Sequence, residues 1–306
     1  MAQYLDPKND LTFKRVFGEH KHLCISLINS ILPLEKPIVS IEYQTSELIP
    51  ELEILRHSIV DVRCSDADGR QFIVEMQMYW TESFKSRVLL NASKAYIKQL
   101  DTAEEFKLLQ PVYSLNFVNE IFENLPEMRD EYFHHYKIVN IKDTEKQIKG
   151  LEFVFVELPK FRPQGRAEKK LHELWLRFLT EINERTEEAP IELMENDLTR
   201  EAVGYMERGA YTKEQLLAYD KWKVDVMTER GIIEDALNKG RSEGEALGLE
   251  KGEAIGLAIG IEKGEMQNQK KIITNSLREG LTVETIATIT GLRPEEVMKI
   301  IKNEGY

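Results

Sequence analysis

Apolar and polar residues alternate through His57–Tyr79, and this period of two predicts a pair of β-strands joined by a tight turn at Asp66-Ala67-Asp68-Gly69. If the last three of these residues form the loop, Gly69 supplies the left-handed backbone that three-residue loops need. The register of the two strands is then defined. The predicted opposite pairs are Asp66 with Arg70, Cys64 with Phe72, Val62 with Val74, and Asp61 with Glu75.

The three-residue loop is favoured because it sorts the hairpin into an almost wholly apolar face and a largely polar one. A two-residue loop would instead place Asp61 and Glu75 on opposite faces and mix the two sets of side chains. The predicted apolar face carries Ser58, Val60, Val62, Cys64, Phe72, Val74, Met76 and Met78, and the other face carries His57, Ile59, Asp61, Arg63, Gln71, Ile73, Glu75, Gln77 and Tyr79.

Two carboxylates, those of Asp61 and Glu75, would therefore lie opposite each other, with Gln77 one pleat further along. Like charges in that arrangement cost roughly 0.2–1 kcal/mol. Two interpretations remain open. Both carboxylates could be solvated on the outer face of the hairpin, with Arg63 nearby, and spacing alone favours this because polar outer faces are ordinary. Alternatively, they hold a hard divalent cation such as magnesium, which prefers carboxylate and carbonyl oxygens.

Apolar residues at helical spacing predict helices before the hairpin. A short first helix begins at Asn9 or Asp10 and ends at Gly18, and a second helix covers about Lys21–Ile31. Residues 38–49 are expected to be extended.

The segment after the hairpin, 81–100, also has helical spacing, and its charge is mostly positive. Three later apolar runs, Gln110–Asn119, Tyr132–Asn140 and Leu151–Leu158, predict further strands. The adjacent pair His134-His135 predicts no metal site, because neighbouring strand positions point to opposite faces and no third ligand is near. The charged residues of 81–100 are Lys85, Arg87, Lys94 and Lys98, with Glu82 as the acidic residue.

From Arg166 to about Gln269 the pattern is helical with little interruption, and glycine then recurs at every fourth position. A glycine in a helix interior costs about 1 kcal/mol relative to alanine. Either close helix–helix contact compensates for this cost, which would imply self-association, or the segment is a semi-flexible arm. The repeating glycines are Gly240, Gly244, Gly248, Gly252, Gly256, Gly260 and Gly264.

The last segment, Lys270–Ile301, has the outline of a helix–turn–helix. Thr282 is expected to cap one helix, Gly291 to lie at the turn, and Pro294 to open the next helix. A helix that reads DNA is typically basic. In the second helix here, acidic residues offset the basic ones, so a structural or protein-contacting hairpin is favoured over DNA readout.

Composition limits the classes of function. The net charge of −12 argues against a protein that coats nucleic acid through bulk electrostatics, although an enzyme with a local basic strip remains compatible. No apolar run is long enough to span a bilayer, and no secretory signal is visible at the N-terminus. Cys24 and Cys64 lack metal-binding spacing. A cytoplasmic location without membrane contact is the expectation.

Several short segments and single residues, taken in their order along the chain, form a composite motif: Asp10–Gly18, Asp61, Glu75-Met76-Gln77, Arg87, Tyr96, Gln110–Leu115 and Glu157–Phe161. Together they resemble the recombination-promoting nuclease / putative transposase family of the PD-(D/E)XK nuclease superfamily. The glycine repeat and the terminal helical hairpin also look like members of this family, so the resemblance covers most of the chain.

The resemblance implies an α/β fold: a PD-(D/E)XK restriction-endonuclease-like core, with a mixed sheet flanked by helices, followed by an all-α C-terminal region. It also implies magnesium-dependent cleavage of DNA, with manganese as a plausible substitute. Asp61 and Glu75 would ligate the metal together with the backbone carbonyl of Met76, and Gln77 would complete the catalytic set.

The sequence departs from the motif at two positions. Gln77 stands where many nucleases of the superfamily have a lysine; it can orient water or contact phosphate but carries no positive charge. Val60 replaces the proline of the motif's name, which is a small change because strand interiors disfavour proline. Arg87, Lys14 and Asp10 are the candidate contacts to DNA phosphate.

The expected function is a magnesium-dependent DNA endonuclease with low sequence selectivity that acts in recombination or transposition. The alternative is a catalytically weak or inactive module that keeps the fold while it self-associates or binds DNA. The expected partners are DNA and further copies of the chain, through the helical C-terminal region. The expected divisions are 1–163 for the nuclease-like domain, 164–239 for a helical region, 240–269 for the glycine-repeat arm and 270–306 for the terminal hairpin.

Overall fold

The computed structural model describes residues 3–48, 58–101, 106–163 and 170–303, so His57 of the predicted hairpin lies outside the described residues. The chain forms two compact units, Met1–Arg230 and Gly231–Tyr306. The finer division into four segments stays a prediction.

Two helices open the chain, five strands, one helix and three further strands follow, and the rest of the described chain is helical. The strands are β1 (Ile41–Tyr43), β2 (Glu47–Leu48), β3 (Ser58–Ile59), β4 (Val62–Asp66), β5 (Gln71–Gln77), β6 (Val112–Val118), β7 (Phe133–Asn140) and β8 (Asp143–Glu157). The helices are α1 (Asp10–Phe13, continued by a π-helical turn at Lys14–Gly18), α2 (Lys21–Ile31), α3 (Glu82–Ile97), α4 (Leu171–Glu181), α5 (Ile191–Glu195), α6 (Asp197–Met206), α7 (Lys213–Arg278), α8 (Val283–Thr290) and α9 (Pro294–Asn303). Short 3₁₀ turns lie at Lys98–Asp101, Phe106–Leu108, Pro126–Met128, Leu158–Lys160 and Arg208–Ala210.

Six of the strands form one mixed sheet in the order β1-β4-β5-β6-β8-β7. Strands β5, β6 and β8 are parallel, whereas the other neighbouring pairs are antiparallel. Helices pack on both faces of this sheet, and the C-terminal region is helical. The predicted fold class is therefore confirmed.

The predicted hairpin register is confirmed from Val62 to Arg70, whereas Asp61, predicted opposite Glu75, precedes the paired residues. Cys64 pairs with Phe72 and Val62 with Val74. The loop closes through a hydrogen bond of 3.0 Å from the Asp66 N–H to the Arg70 carbonyl, and Gly69 has a φ of 84°. Gly69 thus occupies the left-handed position for which glycine is suited.

The first strand of the hairpin is shorter than predicted, because the chain bends between Val60 and Val62. Ser58–Ile59 pairs instead with Glu47–Leu48 in a separate two-stranded sheet. Across the bend the alternation of sides is lost. Val60 consequently packs with Ile73 on the α3 side of the sheet, rather than with Val62 on the other side.

The predicted polar face of the hairpin is not solvated. Helix α3 covers it, and the side chains of Ile73, Gln71, Arg63 and Glu75 are all buried. Arg63 bonds Gln71 at 3.4 Å, and no described contact joins it to the two carboxylates that it was expected to offset. The interpretation of Asp61 and Glu75 as a solvated pair is therefore wrong.

The main hydrophobic core lies on the opposite face of the sheet from α3. There the side chains of Phe72 and Val74 meet the first two helices and α4, whose Trp175 is fully buried. Phe13 and Phe17 contact each other within this core with their rings tilted and their centroids 4.9 Å apart, as the predicted helical spacing requires. Both faces of the sheet are thus packed, and functional side chains emerge where its strands end.

The described part of the second unit is helical. Thr282 caps α8 through its side chain, Gly291 adopts a left-handed φ of 70°, and Pro294 begins α9, as predicted. The glycines at every fourth position lie within α7, and a Cβ added at any of them would meet nothing within 4 Å. No described helix is long and apolar enough to cross a membrane.

Candidate active site

The candidate site lies at the carboxyl end of the parallel strands, where β5, β6 and β8 finish side by side at Gln77, Val118 and Glu157. Helix α3 begins just after β5 and covers one face of this edge, while α1 approaches from the other face. Side chains from both helices therefore converge on the residues predicted to be catalytic.

Asp61 lies at the bend that precedes β4, one residue beyond the paired part of the hairpin. Its Oδ2 accepts a hydrogen bond of 2.8 Å from the backbone N–H of Met76. Its Oδ1 lies 3.7 Å from the Nζ of Lys14, and the Asp61 side chain is 14% exposed. One carboxylate oxygen is thus fixed by the strand, and the other faces the cationic side chain.

The carboxyl group of Asp61 is in an environment that disfavours its charge. Burial raises its pKa to about 7, and the nearby carboxylates of Asp10 and Glu75 raise it as well. The Met76 N–H and the Lys14 ammonium lower the pKa but do not cancel these effects. The positive charge of Lys14 is therefore too small an influence to offset the burial of Asp61 and its acidic neighbours.

Glu75 is on the α3 face of β5 and is 5% exposed. Its Oε1 accepts a hydrogen bond of 3.1 Å from the Nδ2 of Asn91 on α3. Burial raises the pKa of Glu75, although the Asn91 hydrogen bond and the charge of Arg87 act in the opposite direction. Burial is thus the main cause of the raised pKa at both carboxylates.

Gln77 follows Glu75 on the same face, and both ends of its amide are engaged. Its Oε1 accepts a hydrogen bond from the guanidinium of Arg87, and its Nε2 donates to the Tyr79 carbonyl at 2.8 Å. Arg87 is exposed and also lies over the Phe84 ring, 4.9 Å from its centroid. The guanidinium is therefore held at the rim of the site.

Lys14 and Asp10 come from the first helix. Asn9, rather than Asp10, caps this helix, with its side chain accepting from the Leu11 N–H. Asp10 is the first helical residue, and its Oδ2 lies 3.9 Å from the Nζ of Lys14. The structure thus brings every predicted site residue to one end of the sheet.

Asn91 was missed by reasoning from the sequence. It is 1% exposed, and its Oδ1 has no hydrogen-bond partner within the described part of the chain. A signal was present, since Asn91 lies on the helical stripe otherwise formed by Val88, Ala92 and Ala95. A polar residue on the buried stripe of a helix usually bonds another buried polar group, and here that group is Glu75.

A second buried polar cluster lies nearby and was also missed. The Glu157 carboxylate is fully buried and accepts hydrogen bonds from the backbone N–H groups of Phe122 and Glu123, at 2.6 and 3.0 Å. His134 and Lys160 bind the same carboxylate, at 2.9 and 2.5 Å. His134 is thus a hydrogen-bond partner of Glu157, and the cluster anchors the loop that follows β6.

The oxygen donors at the site fit a hard divalent cation. Asp61 and Glu75 supply two carboxylates. The carbonyl of Met76 faces the same side as its N–H, because both groups of one residue point to the same neighbouring strand, so it faces Asp61. Among the described residues, no group of three or more His, Cys, Asp or Glu side chains stands together as a metal cluster. The proposed ligand set thus relies on two carboxylates and one carbonyl.

Comparison with known families places this geometry in context. The family model described as PD-(D/E)XK nuclease family transposase matches residues 7–234, which include both carboxylates, both flanking helices and all the strands of the mixed sheet. Comparisons with curated proteins and with solved structures gave no match.

Proposed function

The chain belongs to the PD-(D/E)XK nuclease family of transposases, and from this premise we propose that it is a magnesium-dependent DNA endonuclease of low sequence selectivity. The observation that carries the proposal is the pair of buried carboxylates, Asp61 and Glu75, whose pKa values are both raised. A cation bound between two buried carboxylates would offset the cost of burying their charges, which Lys14, 3.7 Å from Asp61, does not fully offset. We further propose that the chain acts in recombination or transposition within the cytoplasm.

We propose Asp61, Glu75 and the carbonyl of Met76 as the cation ligands. Magnesium suits them because it binds through one or two carboxylates and keeps several waters. A divalent cation held there would supply positive charge, which would ease the loss of a proton from the attacking water and stabilise the charge on the phosphate. Manganese should substitute, since it prefers the same oxygen donors.

DNA would approach across the start of α3, where Lys85 and Arg87 are exposed and the charge of Arg87 acts on Glu75. Arg87 is the proposed phosphate contact, because its guanidinium is already oriented by Gln77 and guanidinium matches phosphate in shape. Lys14 is the second proposed cation. Asp10 is an anion, so it would act on DNA only through Lys14, which lies beside it.

Nicking of supercoiled plasmid tests this function. The wild-type chain should nick in magnesium and stop when EDTA is added, and Asp61→Asn should reduce the rate by at least about 100-fold. Asp68→Asn is the matched control, since it removes an exposed carboxylate from the turn of the same hairpin. Nicking that survives EDTA and Asp61→Asn would be contamination. No nicking in any divalent cation would favour a DNA-binding module without cleavage.

We further propose that the chain self-associates through its helical C-terminal region. Apolar side chains on the second unit's part of α7 are exposed, among them Leu249, Ile255 and Leu257. Exposed apolar residues in such number commonly mark interaction surfaces, and the intervening glycines would allow two helix backbones to approach closely.

A further inference from the structure

Gln77 stands where many nucleases of this superfamily carry a lysine. Another residue must therefore supply the positive charge beside the phosphate that is cleaved. The amide of Gln77 is not free to supply it or to orient water. Its oxygen is bonded to Arg87 and its nitrogen to the carbonyl of Tyr79. The interaction that Gln77 makes at the site is therefore its hydrogen bond with Arg87.

Lys14 offers a positive charge from another element. Its Nζ lies 3.7 Å from Oδ1 of Asp61 and 3.9 Å from Oδ2 of Asp10. Both distances exceed hydrogen-bonding range, so the three N–H donors of the ammonium are not committed to either carboxylate. The side chain is 40% exposed, which leaves it accessible to a ligand.

The backbone around Lys14 supports a functional role. Helix α1 ends at Phe13, and a π-helical turn begins at Lys14 and runs to Gly18. Turns of this kind are rare and occur frequently at functional sites. Phe13, Val16 and Phe17 are fully buried, so they anchor the turn in the core while Lys14 projects to the edge of the sheet.

We propose that Lys14 is the catalytic cation of this site, contacting the phosphate that is attacked, and that Gln77 is a positioning residue that orients Arg87 for DNA binding. This assignment rests on the proposed nuclease function. During hydrolysis the oxygen of one water forms a bond to phosphorus while one P–O ester bond breaks. One water proton ends on the leaving alkoxide oxygen and the other stays with the new phosphate monoester. Lys14 stabilises the negative charge that grows on the phosphate oxygens in this step.

Steady-state cleavage kinetics separate the two roles. Lys14→Gln should lower kcat about 100-fold with little change in KM, since it removes an interaction made in the transition state. Lys14→Arg keeps the charge and should remain within about tenfold of wild type. Lys21→Gln is the matched control because it removes an exposed lysine of α2, paired with Glu42, and should leave both constants unchanged.

The positioning role of Gln77 predicts a different pattern. Gln77→Ala and Arg87→Ala should each raise KM for DNA with little effect on kcat, and the double variant should be no worse than Arg87→Ala alone. A loss of kcat in Gln77→Ala as large as in Asp61→Asn would overturn the assignment, and so would wild-type kcat in Lys14→Gln.

A binding measurement distinguishes a catalytic Lys14 from a merely structural one. Removing an ammonium beside Asp61 should strengthen Mn²⁺ binding in Lys14→Gln, measured by electron paramagnetic resonance, whereas Lys21→Gln should not change it. Weaker Mn²⁺ binding would mean that Lys14 holds the carboxylates in place, which contradicts the proposal. If the wild-type chain fails to cleave DNA, the nuclease function itself fails. If it cleaves and Lys14→Gln cleaves equally fast, only the role of Lys14 fails.

Discussion

Asp61 is the residue on which both the proposed cation site and the pH dependence of stability depend. Its carboxylate is tied to the backbone of Met76 on one oxygen and faces Lys14 with the other. The pKa is raised from 3.8 to about 7, chiefly by burial. The folded protein therefore holds a proton on Asp61 at pH values where the unfolded chain has lost it.

This difference predicts how stability depends on pH. A carboxylate with a raised pKa in the folded state favours folding below pH 3.8, and that contribution is lost as the pH rises through about 7. Asp61→Asn should therefore raise the melting temperature of the metal-free protein near pH 8 by roughly 5 °C, and change it much less near pH 4.

Differential scanning calorimetry in EDTA measures both values. Asp68→Asn serves as the control and should show no such pH-dependent gain, because Asp68 is exposed in the turn. Equal effects of Asp61→Asn at both pH values would contradict the environment described for Asp61.

At the residue scale, the sequence predicted the adjacency of Asp61 and Glu75 but not what surrounds them. Alternation and a glycine in the turn define a register, and the register defines which side chains lie opposite each other. Asn91 and Lys14 come from helices on the two faces of the sheet. Their positions depend on helix packing, about which a strand pattern says nothing.

At the scale of elements, the hairpin of β4 and β5 organises the site. Its turn requires the φ of 84° at Gly69, and a Cβ there would lie 3.2 Å from Cγ of Gln110. Gly69→Ala should therefore destabilise the protein by about 1–2 kcal/mol. Gly204→Ala is the opposite case, since Gly204 lies inside α6 with open space around it. It should stabilise by about 0.5–1 kcal/mol.

Urea denaturation gives both free energies of unfolding. A neutral Gly69→Ala would mean that the turn does not need a left-handed residue, and the register of the hairpin would lose its support.

The hairpin also shows why its first strand was predicted too long. The alternation continues through Ser58 and Val60 without a break in the sequence pattern, so a bend at Asp61 leaves no trace in polarity. Likewise, polar residues on the α3 face of β5 indicated a solvated surface. Helix α3 instead packs on that face, where Asn91 is a hydrogen-bond partner for Glu75.

At the scale of the whole molecule, the chain has a net charge of −12 and contains two units. The family match covers the first unit almost entirely, and the described part of the second unit is helical. The helix–turn–helix outline was predictable because caps, left-handed glycines and prolines are local signals. The role of the glycine repeat could not be predicted from local sequence. Each of these glycines has open space around it in a single chain, so no contact within the chain explains it.

Sedimentation velocity of the full chain tests the proposed self-association. Replacing Gly248, Gly252 and Gly256 together with alanine should yield a smaller species than wild type, because added Cβ atoms would hold paired backbones apart. Gly231→Ala is the control, as Gly231 is also in α7 and unobstructed but lies outside the repeat. Identical sedimentation of the triple variant and wild type would exclude glycine-mediated contact.

Titration with Mn²⁺, followed by electron paramagnetic resonance, tests the central claim most directly, because it asks whether Asp61 and Glu75 bind a divalent cation before any DNA is added. The wild-type chain is expected to bind the ion, and both Asp61→Asn and Glu75→Gln should lose that binding while Asp68→Asn retains it. Wild-type binding in Asp61→Asn and Glu75→Gln would contradict the account.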